Sequence, residues 1–294
     1  MLDLDPTREA TSPRDAATLI VLRESGSGAT GTEVFCVERQ KVGFMGGAVV
    51  FPGGKVDPSD LDAEWATRAT PAHPRCAPFG DTPEQVRALG VAACREALEE
   101  AAILPLAGTA LDHATRLSWR ARLARTKQKP AETTLLALLE AAGAKLDLSA
   151  LHPLARWLTP VAESRRFDTR FFLYIADATL TGAHDDHETT ASFWATPAEV
   201  LRRFAAGELQ LAPPTHRTLE ILAAAPDAKA AVALAGAANL ERICPQLVKH
   251  VDARGETMAL VLPGDPEHPV GHVISPGRSR FVLRGDRFLP EDPP

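Results

Sequence analysis

Long apolar runs are missing from this 294-residue chain: nowhere do about 18 apolar residues follow one another, the minimum for a membrane-spanning helix. Cysteine is scarce. The four present (Cys36, Cys76, Cys94 and Cys244) lie far apart, with no CxxC pair and no His/Cys cluster at zinc spacing. That argues against a disulfide scaffold or structural zinc, and for a reducing compartment. Excess positive charge is also lacking. The net charge is −6 and the pI about 5.9, so no global basic field exists to hold nucleic acid by its phosphates. The first residues, MLDLDPTREATSPRD, are too polar and acidic for a signal peptide, and the closing EDPP carries no peroxisomal or retention address. These absences predict a soluble, cytoplasmic protein with neither membrane nor nucleic-acid partner.

What is present is an ordinary globular composition, 45% hydrophobic and 24% charged, long enough for one large domain or two small ones. Residues 1–13 read as a flexible tail. The apolar run from Asp15 to Glu24 suits a buried strand; a Gly/Ser loop, the alternating stretch 33–39 and a third short strand at 48–51 follow. The third strand runs into Pro52-Gly53-Gly54. Closely spaced prolines at 71, 74 and 78 make residues 61–82 irregular. Thr82-Pro83-Glu84-Gln85 then reads as a helix start, with Thr82 as N-cap and Gln85 completing a capping box. That helix should run to about Leu104. Further helices are predicted near 111–125 and 131–142, and again at 197–208 and 215–225. Strands are predicted at 155–160, 170–176 and 189–194. Beyond residue 236, short runs around 257–263, 272–275 and 280–284 suggest a β extension packed on the same domain.

The helix after Thr82 carries the most informative residues, Arg95-Glu96-Ala97-Leu98-Glu99-Glu100. At 100° per residue, Glu96, Glu99 and Glu100 occupy an arc of about 100° on one face. Gly90, Val91, Cys94, Ala97, Leu98 and Ala101 form a small, apolar opposite side suited to close packing on a sheet. A solvated surface helix, with Arg95 paired to Glu99, would also explain the acidic face. The alternative is that a hard divalent cation relieves the repulsion of three crowded carboxylates. The upstream Phe51-Pro52-Gly53-Gly54-Lys55 favours that alternative, because paired glycines after a strand permit tight turns and close backbone approach to a ligand.

A glycine pair followed by an Arg-Glu-x-x-Glu-Glu helix resembles the Nudix hydrolases, whose signature is G-x5-E-x7-R-E-U-x-E-E-x-G-U, with U aliphatic. Gly54, Arg95-Glu96, Glu99-Glu100 and Ile103 fit it. Asp60 stands where the first acid belongs, and Ala102 replaces the late glycine, which predicts that the helix runs on. The interval of 7 residues has become 34, residues 61–94. Lengthening a loop that much adds roughly 1.4 kcal/mol of closure entropy, so the geometry of its ends can survive. Removal of 64–80 is therefore expected to alter substrate preference and spare metal binding. The chain is similar in this respect to a branch related to peroxisomal coenzyme A diphosphatases, which carry a long insertion in the box. The likeness continues at 157–160, 165–172, 194–197, 212–215 and 262–265, and so covers most of residues 14–265.

The resemblance implies a Nudix-type α/β/α sandwich with a mixed sheet over 14–236, a helical insertion at 109–150, and a C-terminal β extension at 237–294. It implies Mg²⁺ or Mn²⁺ held by Glu96, Glu99, Glu100 and the Gly53 carbonyl, with Arg95 orienting a glutamate. Glu96 is the expected general base, and Arg95 and Glu99 are the other expected catalytic residues. Glu188, in a run of loop acids, is a second candidate for base or extra ligand. Lys55, Arg165, Arg166 and Arg170 are candidate phosphate contacts, since guanidinium groups suit bidentate anion binding. Pairing of these arginines with Asp168, Asp177 or Glu163 would equally explain them. Pro213-Pro214-Thr215 reads as a helix entry capped by Thr215, and His184, His187 and His216 as surface histidines. The expected substrate is a nucleoside diphosphate linked to X, with coenzyme A or acyl-CoA first; ADP-ribose or a nucleotide sugar is the alternative. A Nudix-fold sensor that binds a nucleotide without cleaving it is the reading from another class. Many relatives dimerise, so a homodimer stays open.

Overall fold

A computed structural model of the chain describes residues 4, 5, 7–26, 31–40, 46–108, 110–126, 134–185 and 189–293. Its strands in chain order are β1 (Arg14–Glu24), β2 (Thr32–Arg39), β3 (Ala48–Val50), β4 (Gly53–Lys55), β5 (His152–Leu158), β6 (Phe167–Ile175), β7 (Thr189–Ala195), β8 (Gln210–Leu211), β9 (Arg242–Ile243), β10 (Gln246–Asp252), β11 (Gly255–Val261), β12 (Arg280–Arg284) and β13 (Arg287–Glu291). The helices are α1 (Trp65–Arg68), α2 (Pro83–Ala101), α3 (His113–Thr126), α4 (Leu135–Ala141), α5 (Pro197–Ala205), α6 (Pro213–Ala223) and α7 (Ala228–Ala237).

The main sheet is mixed and runs β8-β3-β2-β1-β6-β5-β9, with β4 also on β1 and β7 also on β2. Strand β1 is its axis. Its near-continuous apolar run is explained by burial on both faces. Ala17, Leu19 and Val21 pack with α2, whereas Ile20 and Leu22 join the core beneath α5, α6 and α7. Strand β6 pairs with β1 in parallel along its whole length. The other edge of β1 is divided. Strand β2 meets it only at Leu22–Glu24, and β4 meets it at Ala16–Thr18. Beyond their short pairing β1 and β2 part, and β3 on β2 with β4 on β1 fill the opening. That divergence puts the two glycines within the sheet, directly in the path of α2.

Several expected elements form as read: β1, β2, β3, β5, β6, β7, α3, α4, α5 and α6 all fall on predicted segments. Helix α2 starts at Pro83, with Thr82 Oγ1 accepting from the Gln85 amide at 3.2 Å; the Gln85 side chain takes the Asp81 amide at 2.7 Å rather than that of Thr82. The helix does not run on to Leu104. It stops at Ala101, because Ala102 adopts φ +53 and ψ +36, the left-handed conformation normally left to glycine. Residues 53–55, read as a turn, are instead the strand β4. Thr215 lies inside α6, whose N-cap is Ala212. His216 is buried between the rings of Phe204 and Phe281 rather than exposed. His187 falls outside the described residues. Residues 272–275 form no strand, and α7 has no counterpart among the predicted helices.

The segment 61–82 folds into short helical turns and inserts Trp65, Cys76 and Phe79 into the same core as α2. It is thus structural, contrary to the expectation that 64–80 could be removed. Near the N-terminus, the Asp5 amide donates to the Ala162 carbonyl at 2.9 Å, and Arg166 Nη1 donates to the Thr11 carbonyl at 2.6 Å. The described part of residues 1–13 therefore has partners on the body. The second sheet, β10-β11-β12-β13, contributes Leu260, Phe281 and Phe288 to the core that holds Phe204 and Leu219.

Phe79 is fully buried, with its ring centroid 5.3 Å from that of Phe172 in an edge contact. Phe79→Ala should cost about 3–5 kcal/mol in chemical denaturation. A loss below about 1 kcal/mol would show that the insertion is peripheral after all.

Candidate active site

The site is built where the C-terminal half of α2 crosses β4. Successive peptide groups of an antiparallel strand point to alternate sides. Pro52 and Val56 face β1, the Leu19 amide donating to the Pro52 carbonyl and the Val56 amide to the Asp15 carbonyl, both at 2.9 Å. The polar groups of Gly53 and Lys55 therefore face away from β1, towards α2. There the Gly53 amide donates to Glu100 Oε2 at 3.0 Å, and the Lys55 carbonyl accepts from Arg95 Nη2 at 3.0 Å. The Gly53 carbonyl points the same way as that of Lys55.

Neither glycine has positive φ, so both serve close approach rather than a turn. A Cβ on Gly53 would stand 2.6 Å from the Ala17 carbonyl oxygen and 2.8 Å from Thr18 Cα, a clash with the neighbouring strand. A Cβ on Gly54 would stand 2.5 Å from both the carboxyl carbon and Oε1 of Glu96. The Glu96 carboxylate thus lies over Gly54, in space that any side chain there would occupy.

Arg95 organises the acids. A guanidinium carries five N–H donors, and each finds an acceptor. Nε and Nη2 grip the two Asp60 oxygens, each at 2.9 Å. Nη1 donates to Glu96 Oε1 at 2.9 Å and to Glu99 Oε1 at 3.3 Å, and Nη2 also holds the Lys55 carbonyl. Burial alone would lower the Arg95 pKa, but the Asp60 hydrogen bonds and the charges of Glu96, Asp60 and Glu99 reverse this and raise it. Asp60 is 1% exposed, and it also accepts the Asp57 amide at 2.8 Å. Asp60 is a functional residue that the sequence placed in the motif without assigning it a role. Its place in the motif was the available signal.

Glu100 is the deepest of the α2 glutamates, at 4% exposure, while Glu96 and Glu99 are half-buried. Three carboxylates bonded to one guanidinium, with Glu100 on the neighbouring Gly53 amide, leave surplus negative charge in a partly desolvated place. Their oxygens, with the Gly53 carbonyl, are hard donors of the kind Mg²⁺ or Mn²⁺ takes. The cradle over Gly54 is open to a carboxylate because no Cβ fills it, so these residues fit a divalent cation. Among the described residues, the trio whose ligand atoms lie within 4.8 Å of one another is a different one, His250, Asp252 and Glu291. Arg284 bonds all three of its members, so a guanidinium already supplies the cation there.

The other expected contacts divide. Lys55 is exposed and pairs with Asp57 at 3.1 Å, at the rim of the Arg95 cluster. Arg165 is exposed in the β5–β6 connection. Arg166 and Arg170 are corrected from phosphate contacts to buried structural cations. Arg166 donates to the Thr159 carbonyl at 3.1 Å as well as to Thr11. Arg170 donates to the Phe79 carbonyl at 2.9 Å and the Asp168 carbonyl at 2.7 Å, and pairs with Asp15. Burial pulls its pKa down. Glu188 lies outside the described residues.

The two glycines should separate on substitution. Gly53→Ala strains the sheet and is expected to lower stability by about 1–3 kcal/mol. Gly54→Ala displaces only the Glu96 carboxylate, so it should keep wild-type stability and weaken Mn²⁺ binding at least about tenfold. Calorimetry read beside thermal denaturation distinguishes them; equal effects of the two would refute this division.

Comparison with known proteins identifies the family. A family model of the NUDT19 Nudix domain matches residues 78–222. The chain is 32% identical over 225 residues to the acyl-coenzyme A diphosphatase NUDT19 of Gallus gallus, covering 62% of this chain and 58% of that protein. It is 32% identical over 266 residues to the Homo sapiens protein of the same name, covering 76% of this chain and 68% of the relative. The chain thus spans 58% and 68% of the length of these two relatives. The crystal structure of a Nudix hydrolase from Alicyclobacillus acidocaldarius is 35% identical and superposes with a TM-score of 0.62, covering 76% of this chain and 96% of that one. The mixed α/β sandwich and the family resemblance are both borne out, and this chain belongs to the Nudix hydrolases.

Proposed function

We propose that this protein hydrolyses the diphosphate of coenzyme A or an acyl-CoA with Mg²⁺ or Mn²⁺ as cofactor. The observation that carries the reaction type is the meeting of Glu96, Glu99 and Glu100 with the Gly53–Gly54 strand around Arg95. Membership of the family, and the substrate named for its relatives, support the choice of X. A divalent cation at this place would neutralise the diphosphate and polarise the attacking water.

The chain's own residues do the rest. Glu100, fixed by the Gly53 amide, and Glu99 would hold the cation through their carboxylate oxygens. Arg95 keeps Glu96 and Glu99 from rotating away. Glu96 is the proposed base: the water oxygen bonds to one phosphorus, a bridging P–O bond breaks, and the water proton passes to the Glu96 carboxylate. Lys55, exposed two residues after Gly53, is the proposed contact to a phosphate oxygen, and the exposed Arg165 is a second candidate for the same role. With coenzyme A the products are adenosine 3′,5′-bisphosphate and 4′-phosphopantetheine.

The test is a panel of coenzyme A, acyl-CoA, ADP-ribose and nucleotide sugars with each metal, with products identified by mass. Cleavage of the CoA diphosphate supports the proposal. Preference for ADP-ribose would replace X, and saturable binding with no turnover would indicate a sensor. Glu100→Gln keeps an acceptor for the Gly53 amide and loses only charge. It should leave the fold intact and cut turnover by more than the roughly 10–100-fold expected for an outer-shell change. Near wild-type turnover would remove Glu100 from the metal-binding set.

A further inference from the structure

The last turn of α2 ends one residue beyond Glu100, and an unusual set of contacts holds that end. Ala102, in its left-handed conformation, donates to the Leu98 carbonyl at 3.0 Å, and Ile103 donates to the Ala97 carbonyl at 3.1 Å. The carbonyls of Ala101 and Ala102 then meet groups from elsewhere. The Ala183 amide donates to Ala101 at 2.8 Å, and Arg116 Nε, from α3, donates to Ala102 at 2.8 Å. Arg116 is buried and also reaches the Leu111 and Thr181 carbonyls. One turn later on α3, Arg120 Nη1 donates to the carbonyls of Ala183 and His184 at 2.7 and 2.8 Å. Between these anchored residues Gly182 is pressed so close to Phe35 and Ile103 that a Cβ would stand 2.5 Å from the Phe35 ring.

We propose that Arg116 and Arg120 are positioning residues: through segment 181–184 and the Ala101–Ala102 carbonyls they fix the turn of α2 that carries Glu99 and Glu100. Both guanidiniums bond backbone carbonyls. That suits a brace that sets backbone position, because the acceptors cannot rotate away as side chains do. A cation at a helix C-terminus also meets the negative end of the helix dipole. The helical insertion thereby becomes part of the catalytic apparatus without touching substrate. Displacement of reacting groups by about 1 Å is enough to lose roughly 100-fold in rate.

This inference rests on the proposed function for its effect on rate, so the experiment includes readouts independent of substrate. Arg120→Ala is the first variant, because Arg120 is half-buried and its loss leaves Arg116 in place. Hydrogen exchange should speed at residues 98–102 and 181–184, with the rest of α2 unchanged. Mn²⁺ affinity, measured by calorimetry, should fall about tenfold, and kcat on the cleaved substrate about 10–100-fold with KM little changed. Arg120→Lys, which keeps the charge and can keep one carbonyl bond, should restore part of each and carries the test if the alanine variant fails to fold. Wild-type exchange and Mn²⁺ affinity in both variants would overturn the brace. If those readouts change but the wild-type protein cleaves neither coenzyme A nor acyl-CoA, the brace stands and the proposed substrate falls.

Discussion

The site depends on one buried ion pair, the two-point grip of Arg95 on Asp60. Asp60 comes before the insertion and Arg95 after it, so the pair closes a loop whose contour alone would leave its ends free to separate. Both partners are buried, and removing Arg95 would leave Asp60 as an uncompensated buried charge, at a cost of about 3–5 kcal/mol. The pair therefore resists slippage between β4 and α2 far more firmly than an exposed bridge would. With Asp60 holding two donors and the Lys55 carbonyl a third, the remaining Nη1 has a fixed place from which to hold Glu96 and Glu99. Lysine could not replace Arg95, since its three donors diverge from a point and cannot span a strand carbonyl, a carboxylate and two glutamates.

Departures from ordinary local preference gather around this pair. Glu100 buries an anion against a strand amide, two glycines sit in a strand they weaken, and an alanine takes a conformation that costs about 1–2 kcal/mol. Each departure brings an oxygen or an amide closer to the crossing of α2 and β4. The concentration of such costs at one place is what a functional site imposes on a fold that elsewhere follows its propensities.

Much of this was legible in the sequence. The Thr82-Pro83 start, the apolar axis strand and the acidic face of α2 follow from capping chemistry and periodicity, which are local. What was not legible is tertiary. An alanine at φ +53 carries no mark of its own, so the sharp end of α2 at Ala102 could not be read from the missing glycine. The three residues of β4 look like a turn because paired glycines usually make one; only the parting of β1 and β2 gives them strands to pair with. Arg166 and Arg170 resembled phosphate ligands because a guanidinium suits a carbonyl, a carboxylate and a phosphate alike. Burial chose between them, as it did for His216.

The face that α2 presents to the sheet explains why so many polar ties are needed. It is made largely of small residues, Ala93, Ala97 and Ala101 among them, all buried. Such a face lets the helix lie close enough for Glu96 to reach Gly54. It also offers few large side chains to lock into grooves, so packing sets the helix's distance from the sheet better than its position along its own axis. That axial register is supplied by polar pins instead: Gln85 on Asp15 at 3.0 Å near the start, Arg95 on Asp60 in the second half, and the Ala101 and Ala102 carbonyls at the end. The box insertion packs beside the helix and the helical insertion behind its C-terminus. Both lengthenings of the chain therefore fall where a smooth helix most needs a stop.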